Sequence, residues 1–427
     1  MQPYFQEYVK IRNLYFTFFI RVTNQGFQRK KIYKKALYLY SIYQKTKLMK
    51  AESISAKSTA ALESSLLKLL KDGLRPTLGI VFCSSKQDFE EISHVFNTYD
   101  IDLLGCTTAG EINNGTLSEH SISCLLIEMS REHYRLNFIK NTEGVIATGA
   151  QLRQFAHEAF ENPAMIVCSA GVLNDGEQVV AGLKMNATRE IPLFGGLAGD
   201  DLQILNTYIF TRTENTNNGM AALVFDNDKI EVKGLATSGW EALGAENTVT
   251  KAKGNIIQTI NNEPALDFFI RFFGDKEEID VKGKPLSTVS AQYPLQVMRD
   301  DTDYAVLRSP IYGDEETRSL TLVGSIKEGD KFRFSISPGI EVIEKTVAEF
   351  QSFKNEIPEA DALILFSCKG RHAALGPFME DEIQGIHQHW NKPMIGFLSY
   401  GEIGNMQNGI CEFHNETCCL VVIKERN

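Results

Sequence analysis

The sequence predicts an α/β (or α+β) fold built of layered, mixed sheets. Three observations carry this expectation. A Gly-rich turn occurs three times: residues 103–112 read LLGCTTAGEI, 193–201 read LFGGLAGDD, and 395–403 read IGFLSYGEI. Ahead of each turn lies an apolar run ending in small polar residues, GIVFCSS at 79–85, MIVCSAG at 165–171 and LILFSCKG at 363–370. After each turn comes a further apolar strand, CLLIEM at 124–129, AALVF at 221–225 and CCLVVIK at 418–424. Stretches of helical composition separate run from turn at 86–99, 175–187 and 378–390. The unit is therefore strand, helix, strand with a glycine turn, strand, and it appears three times. Such self-similarity outranks local propensity in assigning a fold. The irregular spacing of the copies points to related layers and not to a solenoid.

Each element has its own local signal. Residues 55–72 place Leu62, Leu66, Leu69 and Leu70 at helical spacing, with Gly73 as the stop. The run 78–84 is apolar throughout, as a strand buried on both faces should be. A helix over 88–99 leads into the first turn. Strands are expected at 122–129 and 134–139, a helix at 150–161, and the second buried strand at 165–169. Residues 203–211, 220–225 and 230–238 read as a meander, with 215–219 as a polar loop. A domain boundary is expected near 253–262. Beyond it 263–273 is helical, 274–294 is Gly/Pro-punctuated loop, and 304–307, 320–324 and 331–336 are strands. A helix over 340–355 precedes the third unit.

Composition narrows the function. The 427 residues suffice for two or three domains, and 43% hydrophobic with 23% charged content is that of a globular protein. Of the 44 basic and 54 acidic residues, 34 and 53 lie after residue 48, so that body carries −19. An acidic body repels polyphosphate, which argues against a nucleic-acid partner. Residues 1–48 differ: twelve Phe/Tyr, ten Lys/Arg and one acid give +9. Their longest apolar run, 14–20, is too short to span a bilayer, which takes about 20 residues, so no stable membrane insertion is expected. They are expected to be a basic aromatic extension, disordered or over-translated, with Met49 opening the folded chain and 49–76 forming an N-terminal helical segment. The eight cysteines form no C-x-x-C pair or zinc pattern. With no secretory signal, a reducing cytoplasmic location is expected.

The turns are the candidate site. Gly105, Gly110 and Glu111 match Gly396, Gly401 and Glu402 in spacing, and Gly195, Gly199 and Asp200 match with one residue deleted. Glycines let backbone N–H groups approach an anion. Thr107 and Thr108 add hydroxyls. Glu111, Asp200, Asp201 and Glu402 can take an ammonium group, and Arg371 offers a fork for a carboxylate. Gly110, Gly195, Gly196, Cys368, Tyr400 and Gly401 complete the expected ligand-binding set. Glycines that only make strand exits, with acids that cap turns, are the competing structural explanation. Cys368, near Lys369 and Arg371, is a candidate thiol; a thiol-dependent enzyme using it is one alternative. The chain has no nucleophile elbow, P-loop or H-E-x-x-H, so no enzyme is expected. Of the eight histidines, His372 is the candidate axial ligand if haem is held. No other cofactor and no metal are expected.

Seven stretches in this order resemble the FIST family, a bacterial sensory module of two halves. GCTTAGEI at 105–112, PLFGGLAGDD at 192–201 and SGW at 238–240 match the N-terminal half. YPL at 293–295, FSCKGR at 366–371, GFLSYGEIG at 396–404 and HNET at 414–417 match the C-terminal half. The resemblance implies a FIST N domain over 77–254 and a FIST C domain over 255–425. It implies a cytoplasmic receptor for a small, amino-acid-like ligand that acts on a partner histidine kinase or cyclic-dinucleotide enzyme. Some stand-alone members resemble haem-holding nitric oxide sensors that regulate a histidine kinase, which is a second alternative. Eukaryotic members add an F-box, and 1–76 shows none. Ligand bridging of the two halves, favouring one relative orientation, is the expected mechanism.

Overall fold

In this computed structural model the described residues are 49–426, apart from 186, 188, 274–285, 287–291, 299–304, 338 and 407–410. Residues 1–48, and most of the loop expected at 274–294, lie outside them.

The chain builds one unit three times, and each copy is fuller than the sequence pattern suggested. The first runs β1 (Lys50–Ala56), α1 (Thr59–Lys71), β2 (Leu78–Ser84), α2 (Phe89–Thr98), β3 (Asp102–Thr108), a short hairpin β4 (Glu111–Asn113) and β5 (Thr116–Ser118), then β6 (Ile122–Glu128). The second runs β7 (Tyr134–Lys140), α3 (Val145–Ala159), β8 (Pro163–Ser169), α4 (Gly176–Lys184), β9 (Leu193–Leu197), the hairpin β10 (Ile209–Phe210) and β11 (Asn215–Thr216), then β12 (Gly219–Asp226). The third opens with β13 (Ile230–Thr237) and is interrupted by an inserted β-domain before its first helix.

The insert comprises β14 (Glu241–Lys253), β15 (Ile256–Ile260), β16 (Glu263–Pro264), α5 (Ala265–Phe273), β17 (Leu295–Met298), β18 (Ala305–Arg308), β19 (Pro310–Asp314), β20 (Ser319–Leu322) and β21 (Lys331–Ile336). Its sheet has the order β18-β17-β21-β14-β15-β20-β19, with β16 on β15. The stretch expected as a domain boundary, 253–262, is the turn between β14 and β15, then β15 itself and the turn into β16. The third unit resumes with α6 (Glu341–Glu356), β22 (Ala362–Cys368), α7 (Lys369–Leu375), α8 (Met379–Trp390), β23 (Met394–Ser399), the hairpin β24 (Glu402–Asn405) and β25 (Cys411–His414), and β26 (Cys418–Glu425).

In every unit the strand before the long helix pairs in parallel with the strand after it, and antiparallel with the last strand: β2 with β3 and β6, β8 with β9 and β12, β22 with β23 and β26. The short hairpins do not stay at home. The first unit's β4 pairs with β23 of the third, the third unit's β24 pairs with β9 of the second, and the second unit's β10 pairs with β3 of the first. Each six-stranded sheet is therefore completed by an arm from another unit, and the exchange closes in a ring.

The three sheets face one another across a central core. Ile80, Phe82, Ile166, Cys168, Ile364, Phe366 and Phe397 fill it. Phe82 lies 4.6 Å from Phe397 and 6.1 Å from Phe366, centroid to centroid. The outer face of each sheet is covered by its own helices: α1 and α2 over the first, α3 and α4 over the second, α6 and α8 over the third. Burial on both faces explains why the central strands are apolar without alternation. It also explains the adjacent cysteines: Cys419 points into the central core and Cys418 under the helices. Met49, at the head of β1, donates its backbone N–H to the carboxylate of Glu425 at the end of β26, at 2.5 Å.

Several elements differ from the sequence reading. β1 is polar on its outer side (KAESISA), so its strand character was hidden, and it forms by pairing with β6. The second turn is not a third copy of the others. Its loop runs from 198 to 208 before the arm begins, and Ile209, opposite Cys106 on β3, occupies the register position that Glu111 and Glu402 hold in the third and second sheets.

Candidate functional site

The first and third turns bury their glutamates. Glu111 accepts hydrogen bonds from Thr108 Oγ1 at 2.5 Å, and from the Ser121 backbone N–H at 2.8 Å and hydroxyl at 2.7 Å. Glu402 accepts from Ser399 Oγ and, at 2.7 Å, from Thr417 Oγ1. Desolvation outweighs these bonds and raises the Glu111 carboxyl to about 6 and that of Glu402 to about 8. Neither carboxylate is presented to solvent, so both turns are built inward. Gly110 and Gly401 make the bend at φ +141 and +155.

Arg371, expected to fork a ligand carboxylate, is used up inside the protein. It is fully buried. Nε and Nη2 grip Glu382, Nη1 donates to the carbonyls of Ser238 and Glu416, and Nη2 also donates to Thr346 Oγ1. Its face lies 4.9 Å from the Trp240 ring. A guanidinium has five donors, and all five are engaged. Gly195 and Gly196 are closely packed: a Cβ on Gly195 would stand 2.0 Å from the Val167 carbonyl oxygen, and one on Gly196 would stand 3.0 Å from Phe366. They allow β9 to approach β8 and the central core.

Thr107 welds the long loop of the second unit to β3. It accepts from Tyr208 N at 2.9 Å and donates its own N–H to Tyr208 O. Asp200 organises that loop by accepting from the N–H groups of Ile204, Leu205 and Asn206 at 2.9, 2.7 and 3.0 Å, and from Tyr400 Oη at 2.5 Å. Tyr400 in turn accepts from Leu202 N at 2.9 Å. Asp201, Leu202 and Ile204 sit at positive φ.

One member of the expected set does face an accessible polar mouth: Asp201. The long loop carries it over the carboxyl end of β2, where it accepts from Ser84 Oγ at 2.7 Å and Ser85 Oγ at 3.1 Å. His120 Nδ1 lies 3.8 Å away, and Lys86 Nζ lies 3.0 Å from His120 Nε2. The third unit supplies Lys369, whose Nζ is 4.0 Å from Glu119 Oε1 and 3.2 Å from His372 Nδ1. Burial lowers the Lys369 pKa, and Glu119, Asp201 and Glu111 oppose that shift. The mouth thus collects Ser84, Ser85 and Lys86 from the β2 end of the first unit, Glu119 and His120 from its tip, Asp201 from the second unit and Lys369 with His372 from the third. Sequence reasoning missed most of these. Ser84, Ser85 and Lys369 lay inside the repeated apolar runs, but His120 and Glu119 had no signal beyond residue type.

Cys368 ends β22 buried, and desolvation followed by the charges of Glu402 and Glu416 pushes its thiol up. A neutral, enclosed thiol is a poor nucleophile, and this observation does not favour the thiol-enzyme alternative. His372 is half-buried among Lys369 and Glu119. Those charged neighbours do not match the apolar slot a porphyrin occupies, so the residues around His372 do not fit haem. Among the described residues no group of three or more His, Cys, Asp or Glu is placed to hold a metal ion. A groove of about 230 Å³ lined by Asp102, Asn137, Thr211 and Arg212 lies at the other end of β3. Arg212 there is already paired, with Nη2 3.5 Å from Asp102.

Fold and mouth together define a class: a threefold α/β protein that presents polar groups at the carboxyl ends of its strands, where open α/β sheets hold small ligands. The FIST N domain matches residues 77–263 and the FIST C domain matches residues 265–405, so this chain belongs to the FIST family. The family consists of sensory signal-transduction modules that bind small ligands. No curated protein matches the chain. No helix among the described residues is long and apolar enough to cross a membrane.

Proposed function

We propose that this chain is the ligand-binding component of a sensory system, that its ligand is an amino-acid-like zwitterion, and that the mouth beside Asp201 holds it. The single supporting observation is the pairing of opposite charges from different units around one accessible site. Asp201 and Glu119 suit an ammonium group, and Lys369 and Lys86 suit a carboxylate. Lys369 is held by a distant acid and a histidine, so an incoming carboxylate gives it a closer partner.

The groups come from three units. A ligand touching them favours the loop arrangement in which they converge. The 199–208 loop is the segment able to report this, since Asp201 sits at its start and Leu202, Ile204 and Leu205 stand exposed beyond. These aliphatic side chains form the surface we assign to the partner, a histidine kinase or a cyclic-dinucleotide enzyme. The ligand acts as a signal and is not turned over.

Titration calorimetry of the full chain against a panel of L-amino acids tests the reading. At least one should bind, and Lys369→Ala or Asp201→Asn should weaken it roughly 10- to 100-fold, the loss of one charge-assisted hydrogen bond. Binding by no amino acid, or undiminished binding by Lys369→Ala, would sink it.

A further inference from the structure

The first and third units place equivalent residues at equivalent points. Ser84 N donates to Ser121 O at the end of β2, and Cys368 N donates to Thr417 O at the end of β22, each at 3.0 Å. Ser121 and Thr417 each hold the turn glutamate of their unit. His120 and Glu416 both take a positive φ, 55° and 56°. The tip that carries Glu119 and His120 in the first unit therefore carries Asn415 and Glu416 in the third.

The two tips differ in cover. The first lines the accessible mouth. The third is enclosed: Asn415 and Glu416 are each 1% exposed. The inserted β-domain helps to cover it, with Ser309, between β18 and β19, donating to Glu416 Oε1 at 2.7 Å. The same carboxyl lies flat on Gly370, where a Cβ would come within 2.2 Å of Oε1 and 3.0 Å of Oε2. Glu416 Oε2 and both polar atoms of the Asn415 amide have no hydrogen-bond partner among the described residues. Buried polar groups are satisfied in the great majority of cases, so three orphaned atoms on two consecutive buried residues call for a guest.

We propose a second, enclosed binding site at Asn415 and Glu416 that takes a primary carboxamide. The orphaned atoms select this chemistry. Asn415 offers one acceptor, Oδ1, and one donor group, Nδ2, while Glu416 offers Oε2. A carboxamide closes a two-bond ring with the Asn415 amide and directs its second N–H to Glu416 Oε2. A primary ammonium has no acceptor for Nδ2, and a carboxylate has no donor for Oδ1. An amide is also neutral, and an enclosed site disfavours a charged guest. The site is made by Asn415 and Glu416 and does not depend on what the Asp201 mouth binds.

Acetamide, acetate and methylammonium, titrated separately into the full chain, provide the test. Acetamide should bind at least tenfold more tightly than either ion, and Asn415→Asp, which keeps the size but removes the donor, should lose at least tenfold for acetamide. Equal binding of the three probes overturns the proposal, as does a crystal structure at saturating acetamide with only water on Asn415 and Glu416. Should Asn415→Asp not fold, the comparison of the three probes on the unaltered chain decides alone.

Discussion

Arg371 shows how far a residue's role can lie from its sequence neighbourhood. Its partners come from β13's exit, α6, α8 and the β25–β26 tip, up to 133 residues away. As a bidentate, buried ion pair with Glu382 it behaves as a rivet. Arg371→Ala leaves Glu382 buried and uncompensated and should cost about 3–5 kcal/mol, read from urea unfolding midpoints. Arg371→Lys should recover little, because an ammonium cannot reproduce the planar fork. The buried glutamates make a second residue-scale prediction. Glu111, Glu416 and Glu402 keep their protons in the fold to about 6, about 7 and about 8, against 4.5 for an ordinary glutamate. Between those limits the folded state holds protons that the unfolded chain has released. Stability should therefore be greatest below about pH 4.5 as far as these groups are concerned, and fall as pH rises to about 8. Unfolding midpoints at pH 5.5 and 8.5 would show the loss. Glu402→Gln, which mimics the protonated acid, should shrink the difference, and an unchanged difference would contradict the assignment to Glu402.

At the scale of elements, the sequence announced strands better than their partners. Continuous apolar runs at 78–84, 165–169 and 363–368 mark strands covered on both faces, and they are found as β2, β8 and β22. β1 and the long β14 went unseen, because polar side chains dominate and pairing supplies their stability. The glycine turns were legible as turns, but their direction was not. Whether Glu111 and Glu402 look outward or inward depends on Ser121 and Thr417, ten and fifteen residues further along the chain. Only Asp201 of the expected acids reaches the mouth, and it does so because the second loop is longer than the other two. Gly401 tests the turn geometry. With φ +155 and a Cβ position 2.3 Å from the Phe413 ring, Gly401→Ala meets both strain and a clash. It should cost more than the roughly 1 kcal/mol of an unhindered exchange. Gly73→Ala, at φ +103 with open space around it, is the control.

The whole molecule is less divisible than the family's two halves suggest. The arm β24 from the C-terminal part completes the sheet of the second unit, and β13 from the N-terminal part forms an edge of the third. The central core takes residues from all three. A fragment ending at residue 263 would lose its covering of Ile166, Cys168 and Phe82 together with the arm on β9. It should fail to show a cooperative thermal transition by circular dichroism, and co-expression with the remainder should restore one. A sharp transition in the fragment alone would contradict the interlocked architecture. None of this exchange is visible in the sequence, because each arm is only a few residues long and its partner lies a unit away.

The contact between Met49 and Glu425 carries a consequence of its own. The first strand of the first unit and the last strand of the third meet, so the ring of units is closed in space as well as in pairing. A closed ring has no privileged opening. If 425 were joined to 49 by a short linker and the chain reopened in the 129–133 connection between β6 and β7, the circular permutant should keep the same three sheets. Its arms would then be made in a different order during synthesis, which would separate the fold's dependence on architecture from its dependence on the direction of translation.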